Sequence, residues 1–153
     1  TGDSETLEDP EAILLHVNQE LIEASLGKHL TMFVGILDTQ SLELNYAVGG
    51  HHPMPILVSG GDARFLEGRG MPLGLFDAPL FDKCQVRLPE QFSLFLFSDG
   101  ILELLGSDSL VNKEQNLLLL CSAQNASPES IIEQVVVSGE LNPDDVSVMR
   151  VSR

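Results

Sequence analysis

Three carboxylates in this sequence stand at the ends of predicted strands, where a protein can hold a metal ion. Asp99 follows an apolar run over residues 94–97, which is typical of a strand buried on both faces, and Asp144 and Asp145 open a strand predicted over residues 144–152. If the two strands are neighbours in one sheet, these carboxylates converge at one edge of it. Carboxylate oxygens are the ligands that Mg²⁺ and Mn²⁺ prefer. The pattern therefore allows a metal site at this edge.

The same residues have simpler interpretations. Asp99-Gly100 is a common turn pair, in which glycine lets the backbone turn tightly. Asp144 and Asp145 come directly after Asn-Pro, which is typical of a solvated loop. Spacing alone does not decide between a turn, a loop and a metal site.

A histidine adds a further candidate. His51 follows Gly49-Gly50 and could place an imidazole for proton transfer or for metal binding. A histidine in a turn at the end of a strand is more often hydrogen-bonded structure, and this alternative stays open. The sequence has no phosphate-binding GxxxxGK[ST] loop, no GxSxG nucleophile elbow, no HExxH and no EF-hand loop.

Composition excludes several classes of function. The 153 residues include 8 Lys and Arg against 23 Asp and Glu, a net charge of −15. Binding to nucleic acid or to an anionic membrane is therefore not expected, because both depend on basic side chains. The N-terminus is acidic rather than a secretory signal, and the two cysteines form no CxxC pair. We expect a cytoplasmic protein with buried free thiols.

The first predicted element is a helix over residues 9–26. Asp9 is a good N-cap, Pro10 suits the first helical position and Gly27 suits the end. Its apolar side chains recur at helical spacing, and we expect this stripe to pack on a sheet formed by residues 31–38 and 42–50. The short Thr-Gln-Ser segment between these two strands predicts a hairpin turn. The stripe consists of Ile13, Leu14, Val17, Leu21 and Ala24.

The rest of the chain predicts an α+β domain with mostly antiparallel strands in two packed sheets. Residues 68–75 are too rich in Gly and Pro for regular structure, and the last strand alternates Val146, Val148 and Val151 with polar residues. The further strands are predicted over 54–59, 63–67, 83–88 and 92–98, and the further helices over 112–124 and 127–140.

Several segments, in this order, are similar to one known family. They are ILLHVNQEL, FVGILD, LELNYAVGGHHPMPIL, GMPLGL, FLFSDGILEL and DDVSVMRV. Together they resemble the bacterial PP2C-type (PPM) serine/threonine phosphatases, nearest to the SpoIIE/RsbU-like branch. The resemblance runs from about residue 9 to the C-terminus, and its most specific parts are residues 46–51, 72–74, 98–100 and 144–147.

The resemblance implies an α/β/β/α sandwich with a binuclear Mn²⁺ or Mg²⁺ site between two sheets. In that family the metals activate a water molecule that attacks a phosphoserine or phosphothreonine of a protein. Carried over by motif, Asp99 and Asp144 are metal ligands and Asp145 is a neighbour; Gly100 and His51 lie near the site. The implied partners are a phosphoprotein substrate or a regulator of a sigma factor.

One departure from the family is large. The family carries a Gly-Asp-x-Ser-Gly-His-Gly motif, whose aspartate bridges both metals, in its first half. Here only residues 1–13 precede LLHVNQEL, and the chain does not begin with Met. We therefore expect a single PP2C-like domain over residues 1–153 that lacks its N-terminal part, has an incomplete metal site and is inactive alone.

A second function fits the same departure. The chain could be a catalytically degenerate PP2C-like module that binds a sigma factor or its regulator. Such a module occurs as the C-terminal output domain of a response regulator in a two-component system, after a receiver or sensor domain. If upstream elements are missing, we expect part of the apolar surface to be exposed or covered by another copy in a homodimer.

Overall fold

A computed structural model describes residues 9–106, 109–138 and 145–153. The described chain forms two compact units: the first contains the residues up to His51 and Glu67–Leu88, and the second contains His52–Leu66 and Pro89–Arg153. The elements in chain order are α1 (Pro10–Glu23), β1 (Met32–Asp38), β2 (Glu43–Gly49), β3 (Ile56–Ser59), β4 (Asp62–Phe65), β5 (Lys83–Arg87), β6 (Ser93–Phe97), α2 (Gly100–Leu104), α3 (Leu110–Ser122), α4 (Pro128–Ser138) and β7 (Val148–Ser152).

The first unit contains an antiparallel sheet in the order β1-β2-β5. The turn between β1 and β2 is held by the Asp38 carboxylate, which accepts hydrogen bonds from the backbone N–H groups of Gln40 at 2.7 Å and Ser41 at 3.0 Å. These bonds lower the pKa of Asp38, because they favour the ionised form. The predicted hairpin is confirmed.

Helix α1 begins as its sequence predicts. Asp9 is its N-cap and Pro10 its first residue. The fully buried Leu14 packs with Ala47 of β2, and Met32 and Val34 of β1 flank the same cluster. The predicted packing of this helix on the first two strands is confirmed.

The predicted end of α1 at Gly27 is wrong. The helix ends at Glu23, because Ser25 has a left-handed backbone (φ 50°) and its N–H turns back to the Ile22 carbonyl at 3.1 Å. A serine rarely adopts this conformation, so the sequence of α1 does not indicate that the helix ends there.

The loop over residues 68–75 contains no regular helix or strand, as predicted. Asn18 of α1 holds its end: the side-chain amide donates to the Phe76 carbonyl at 3.0 Å, and its oxygen accepts from the Gly74 N–H at 2.8 Å. Gly70 passes so close to β2 that a Cβ would lie 1.6 Å from the Val48 carbonyl oxygen. Only glycine fits there.

The second unit contains an antiparallel sheet in the order β4-β3-β6-β7. Phe95 and Phe97 of β6 are almost fully buried, as the apolar run predicts. They share a core with side chains from α2, α3 and α4, among them Ile101, Leu117 and Ile131. Cys121 of α3 belongs to this core, and burial raises the pKa of its thiol to about 12. Both cysteines are free thiols.

Two details of the second unit differ from the sequence prediction. The short helix α2 was not predicted, and β7 begins at Val148 rather than at residue 144. Val148 lies opposite Phe97 and Val151 lies opposite Leu94. Because side chains alternate along a strand, two valines three residues apart lie on opposite faces of the sheet, and Val151 is 38% exposed. The α+β class and the antiparallel pairing are confirmed. None of the described helices is long and apolar enough to span a membrane.

Candidate functional site

The candidate site lies where β6 ends and β7 begins. The two strands are antiparallel neighbours, with Ser93 opposite Ser152 and Phe97 opposite Val148. The carboxyl end of β6 therefore meets the amino end of β7, which is the condition for carboxylates at these two ends to lie at one edge of the sheet. Asp99 leaves the sheet two residues after Phe97, and Asp145 approaches it three residues before Val148.

Ser98 joins the two segments. Its hydroxyl donates to the Asp145 carbonyl at 2.9 Å and accepts from the Ser147 N–H at 2.8 Å. Its own N–H donates to the Ser147 carbonyl at 3.0 Å. Three hydrogen bonds thus fix the residue before Asp99 to the residues that follow position 144.

This role of Ser98 was not predicted. A serine hydroxyl is both donor and acceptor, so one small side chain can satisfy two backbone groups of a neighbouring segment. The available signal was the serine of the Ser-Asp-Gly step, together with the Asp-Asp-x-Ser segment that it contacts.

Asp99 occupies the N-cap position of α2 but does not cap it. Its backbone is already helical (φ −62°, ψ −26°), and its side chain makes no capping hydrogen bond. An aspartate that caps a helix normally has an extended backbone, which aims the carboxylate at the first N–H groups. The exposed Asp99 carboxylate is therefore not used to start the helix, and its oxygens suit a hard cation.

Gly100 is the first residue of α2 and is buried. The N–H of the next residue, Ile101, donates to the Ser98 carbonyl at 3.2 Å, and the Ile101 side chain is fully buried in the core. The short helix therefore anchors the backbone on the carboxyl side of Asp99, as Ser98 does on the amino side.

The other predicted ligands are only partly placed. Asp145 is exposed, and its backbone is held by Ser98. Asp144 lies outside the described residues, so the predicted pairing of its carboxylate with that of Asp99 stays a prediction. Within residues 9–106, 109–138 and 145–153, no three His, Cys, Asp or Glu side chains group closely enough to hold a metal ion.

The two neighbouring histidines have different surroundings. His51 belongs to the first unit and is partly buried, with its ring 6.3 Å from that of Phe33. His52 belongs to the second unit, where its Nε2 lies 3.7 Å from a carboxylate oxygen of Glu114 on α3. The proposed site role of His51 stays a prediction.

Solved structures with this fold come from several bacteria. The phosphatase domain of the cell fate determinant SpoIIE from Bacillus subtilis matches with a TM-score of 0.65 at 15% identity, over 91% of this chain and 72% of that one. The SiaA PP2C domain of Pseudomonas aeruginosa matches with a TM-score of 0.72 at 19% identity, over 95% and 61%.

A third structure contains the RsbU and RsbW domains of a Mycobacterium tuberculosis protein. It matches with a TM-score of 0.71 at 24% identity, over 98% of this chain and 41% of that one. The chain thus spans less than two thirds of two of these three solved chains. At these identities the matches show the fold, which is that of PP2C domains.

The family of the chain follows from its sequence as a whole. Among curated proteins, none is significantly similar to it. The family model for stage II sporulation protein E (SpoIIE) matches residues 4–153, which is nearly the entire sequence. The chain belongs to the SpoIIE family of PP2C-like phosphatase domains.

Proposed function

We propose that the chain is the larger part of a metal-dependent phosphatase that removes phosphate from serine or threonine residues of a protein in bacterial signalling. One observation carries the proposal: the Asp99 carboxylate stands at the end of β6 without a capping hydrogen bond, beside a segment that Ser98 holds in place. Family membership supports this assignment, because it relates the chain to phosphatase domains.

In this proposal Asp99 and Asp144 hold Mn²⁺ or Mg²⁺, and Asp145 lies next to them. A bound pair of divalent ions lowers the pKa of a water molecule and stabilises negative charge on a phosphoryl group. The protein supplies charged oxygen ligands and keeps them in place. Ser98 has the positioning role, because its hydroxyl fixes the backbone on both sides of the site.

We further propose that this domain, in a cytoplasmic protein, needs residues upstream of Thr1. Asp99 and Asp144 together offer fewer carboxylates than a pair of hard cations requires. A bridging carboxylate from an upstream segment would complete the site. The 153-residue chain alone should then bind Mn²⁺ weakly and hydrolyse phosphate poorly.

Hydrolysis of a phosphoserine protein by the complete gene product, with titrated Mn²⁺, tests the function. We expect activity only with the metal, and a loss of at least about 100-fold in Asp99→Asn, because a charged ligand is removed without a change in volume. Asp9→Asn is the matched control and should keep full activity. Metal-independent turnover, or full activity in Asp99→Asn, would contradict the proposal.

A second function is a binding module that no longer hydrolyses phosphate. It is favoured by the absence of any three-residue ligand cluster among the described residues. Its partner would be a sigma factor or a regulator of one. A receiver or sensor domain in the same protein would control the binding. Stable binding of such a partner, with no turnover by the complete protein at millimolar Mn²⁺, would favour this function.

A further inference from the structure

An apolar groove runs between α3 and α4 on the second unit. Its volume is about 680 Å³. Four of its lining side chains are apolar: Leu105, Leu119, Leu120 and Val135. The polar lining residues are Asn116, Glu133 and Gln134. We call this feature the α3–α4 groove.

The groove is bordered by an unusually exposed leucine. Leu119 of α3 is 68% exposed, and Val136 of α4, next to the lining residue Val135, is 48% exposed. On its other side Leu119 lines a second depression of about 410 Å³, with Leu118 and Ala63. Leu119 therefore stands as an apolar ridge between two hollows, a shape into which the side chains of another helix can pack.

The charges around the groove indicate which kind of partner it can bind. The described residues of α2, α3 and α4 carry four glutamates and a single basic residue, Lys113. One of the glutamates, Glu133, lines the groove itself. The whole chain has a net charge of −15. A second copy of the chain and an anionic membrane are both disfavoured here, because like charges repel.

We propose that the α3–α4 groove binds a basic amphipathic helix of a partner protein. The apolar face of that helix packs against Leu119 and Leu120, and its lysines or arginines lie near Glu133. Helices that bind in grooves place apolar anchors at positions i, i+3, i+4 and i+7, which gives such a helix one apolar face to pack in the groove. This surface is independent of whether the domain hydrolyses phosphate.

The test uses the 153-residue chain and a fluorescent 18-residue peptide of leucine and lysine, with leucines at helical spacing. Leu119→Asp should weaken binding at least tenfold in fluorescence anisotropy. Val111→Asp is the matched control, because Val111 is also an exposed aliphatic residue of α3 (60%) but does not line the groove. Both variants add one negative charge, so general attraction of the cationic peptide is matched.

A second variant and a second peptide complete the design. Glu133→Gln should weaken binding several-fold at low salt and less at high salt, since screening removes the charge contribution. A peptide with glutamate in place of lysine should bind at least tenfold more weakly. Equal binding by Leu119→Asp and Val111→Asp, or equal binding of both peptides, would overturn the proposal. Self-association that Leu119→Asp abolishes would also overturn it, because a second copy would then be the occupant.

Discussion

Two aspartates, one in each unit, stand directly before a helix and are used differently. Asp9 has an extended backbone (φ −120°, ψ 108°) and accepts a hydrogen bond from the Glu11 N–H at 3.0 Å. Its other oxygen is 2.6 Å from the Lys83 ammonium. Asp99 has a helical backbone and makes no capping bond. Asp9 is therefore committed to structure, whereas the Asp99 carboxylate is left to solvent.

The difference shows that an aspartate before a helix is an ambiguous signal. The backbone angles at that residue decide whether its carboxylate reaches the helix N–H groups, and distant contacts set those angles. At Asp99 the neighbouring Ser98 is bonded to Asp145, 47 residues away. The Asp99 backbone is thus held by its neighbours while its side chain makes no capping bond, which leaves the carboxylate available for a ligand.

The largest loss of stability should come from replacing a buried polar side chain that bonds two backbone groups. Asn18 is 3% exposed and bonded to both Gly74 and Phe76. We expect Asn18→Ala to lower the free energy of unfolding by about 2–3 kcal/mol, because the buried amide makes two hydrogen bonds and its removal leaves the Gly74 N–H and the Phe76 carbonyl without their side-chain partner. Urea denaturation measures this, with the exposed neighbour variant Gln19→Ala as control. A loss below about 1 kcal/mol would show that water replaces the amide.

Ser98→Ala should have the next largest effect. The change removes two hydrogen bonds between the end of β6 and the segment before β7, and we expect a loss of about 1–2 kcal/mol in the free energy of unfolding. Ser93→Ala is a control on the same strand, since its hydroxyl accepts a hydrogen bond from the exposed side chain of Arg150. Hydrogen exchange at the Ser147 N–H should rise in Ser98→Ala. Unchanged protection there would contradict the role of Ser98.

Asp9→Ala should destabilise the protein by about 1 kcal/mol through loss of the N-cap. The effect should depend on pH. The Lys83 side chain, and then the backbone N–H of Glu11, lower the pKa of Asp9 below its value in the unfolded chain. The stabilisation is therefore present at neutral pH and is lost as pH falls below about 4.

The matched measurement is urea unfolding of wild type and Asp9→Ala from pH 7 to pH 3 at low salt. The difference between the two proteins should shrink as the pH falls. A difference that grows toward acid would contradict the sign of the pKa shift.

Asp99→Ala should change stability least, by less than about 0.5 kcal/mol, because its side chain makes no capping bond. A small gain is the expected direction if the Asp144 carboxylate lies near, since two like charges repel. Asp9→Ala measured beside it makes the comparison direct. A loss of 1 kcal/mol or more in Asp99→Ala would place this residue with Asp9 as a structural cap.

The fold was predictable wherever local chemistry determines it. Asp9-Pro10 specifies the start of α1, and the short Thr-Gln-Ser turn specifies the first hairpin; both are confirmed. The end of α1 was not predictable, because Ser25 adopts a backbone conformation that serine rarely takes. The short helix α2 was missed because its stability comes from burying Ile101 and Leu104 in a core shared with α3 and α4.

The sequence proposes the carboxylates of the site but not the contacts that hold their backbone. That Asp99, Asp144 and Asp145 are metal ligands stays a prediction, and the pairing of β6 with β7 brings together the segments that carry Asp99 and Asp145. The bonds from Ser98 to Asp145 and Ser147 join segments far apart in sequence, so no local pattern reveals them. The backbone angles of Asp99 likewise depend on the contact between Ser98 and Asp145.

The role of Asp99 as a metal ligand is tested most directly by Mn²⁺ binding, measured by the electron paramagnetic resonance signal of free Mn²⁺ during titration of the 153-residue chain. We expect weak binding that Asp99→Asn and Asp144→Asn each reduce at least tenfold, because each removes a charged oxygen ligand. Asp9→Asn, which loses the same charge at the other helix start, should bind Mn²⁺ as wild type does. Equal Mn²⁺ binding by Asp99→Asn and Asp9→Asn would contradict the claim that the Asp99 carboxylate is held for a metal.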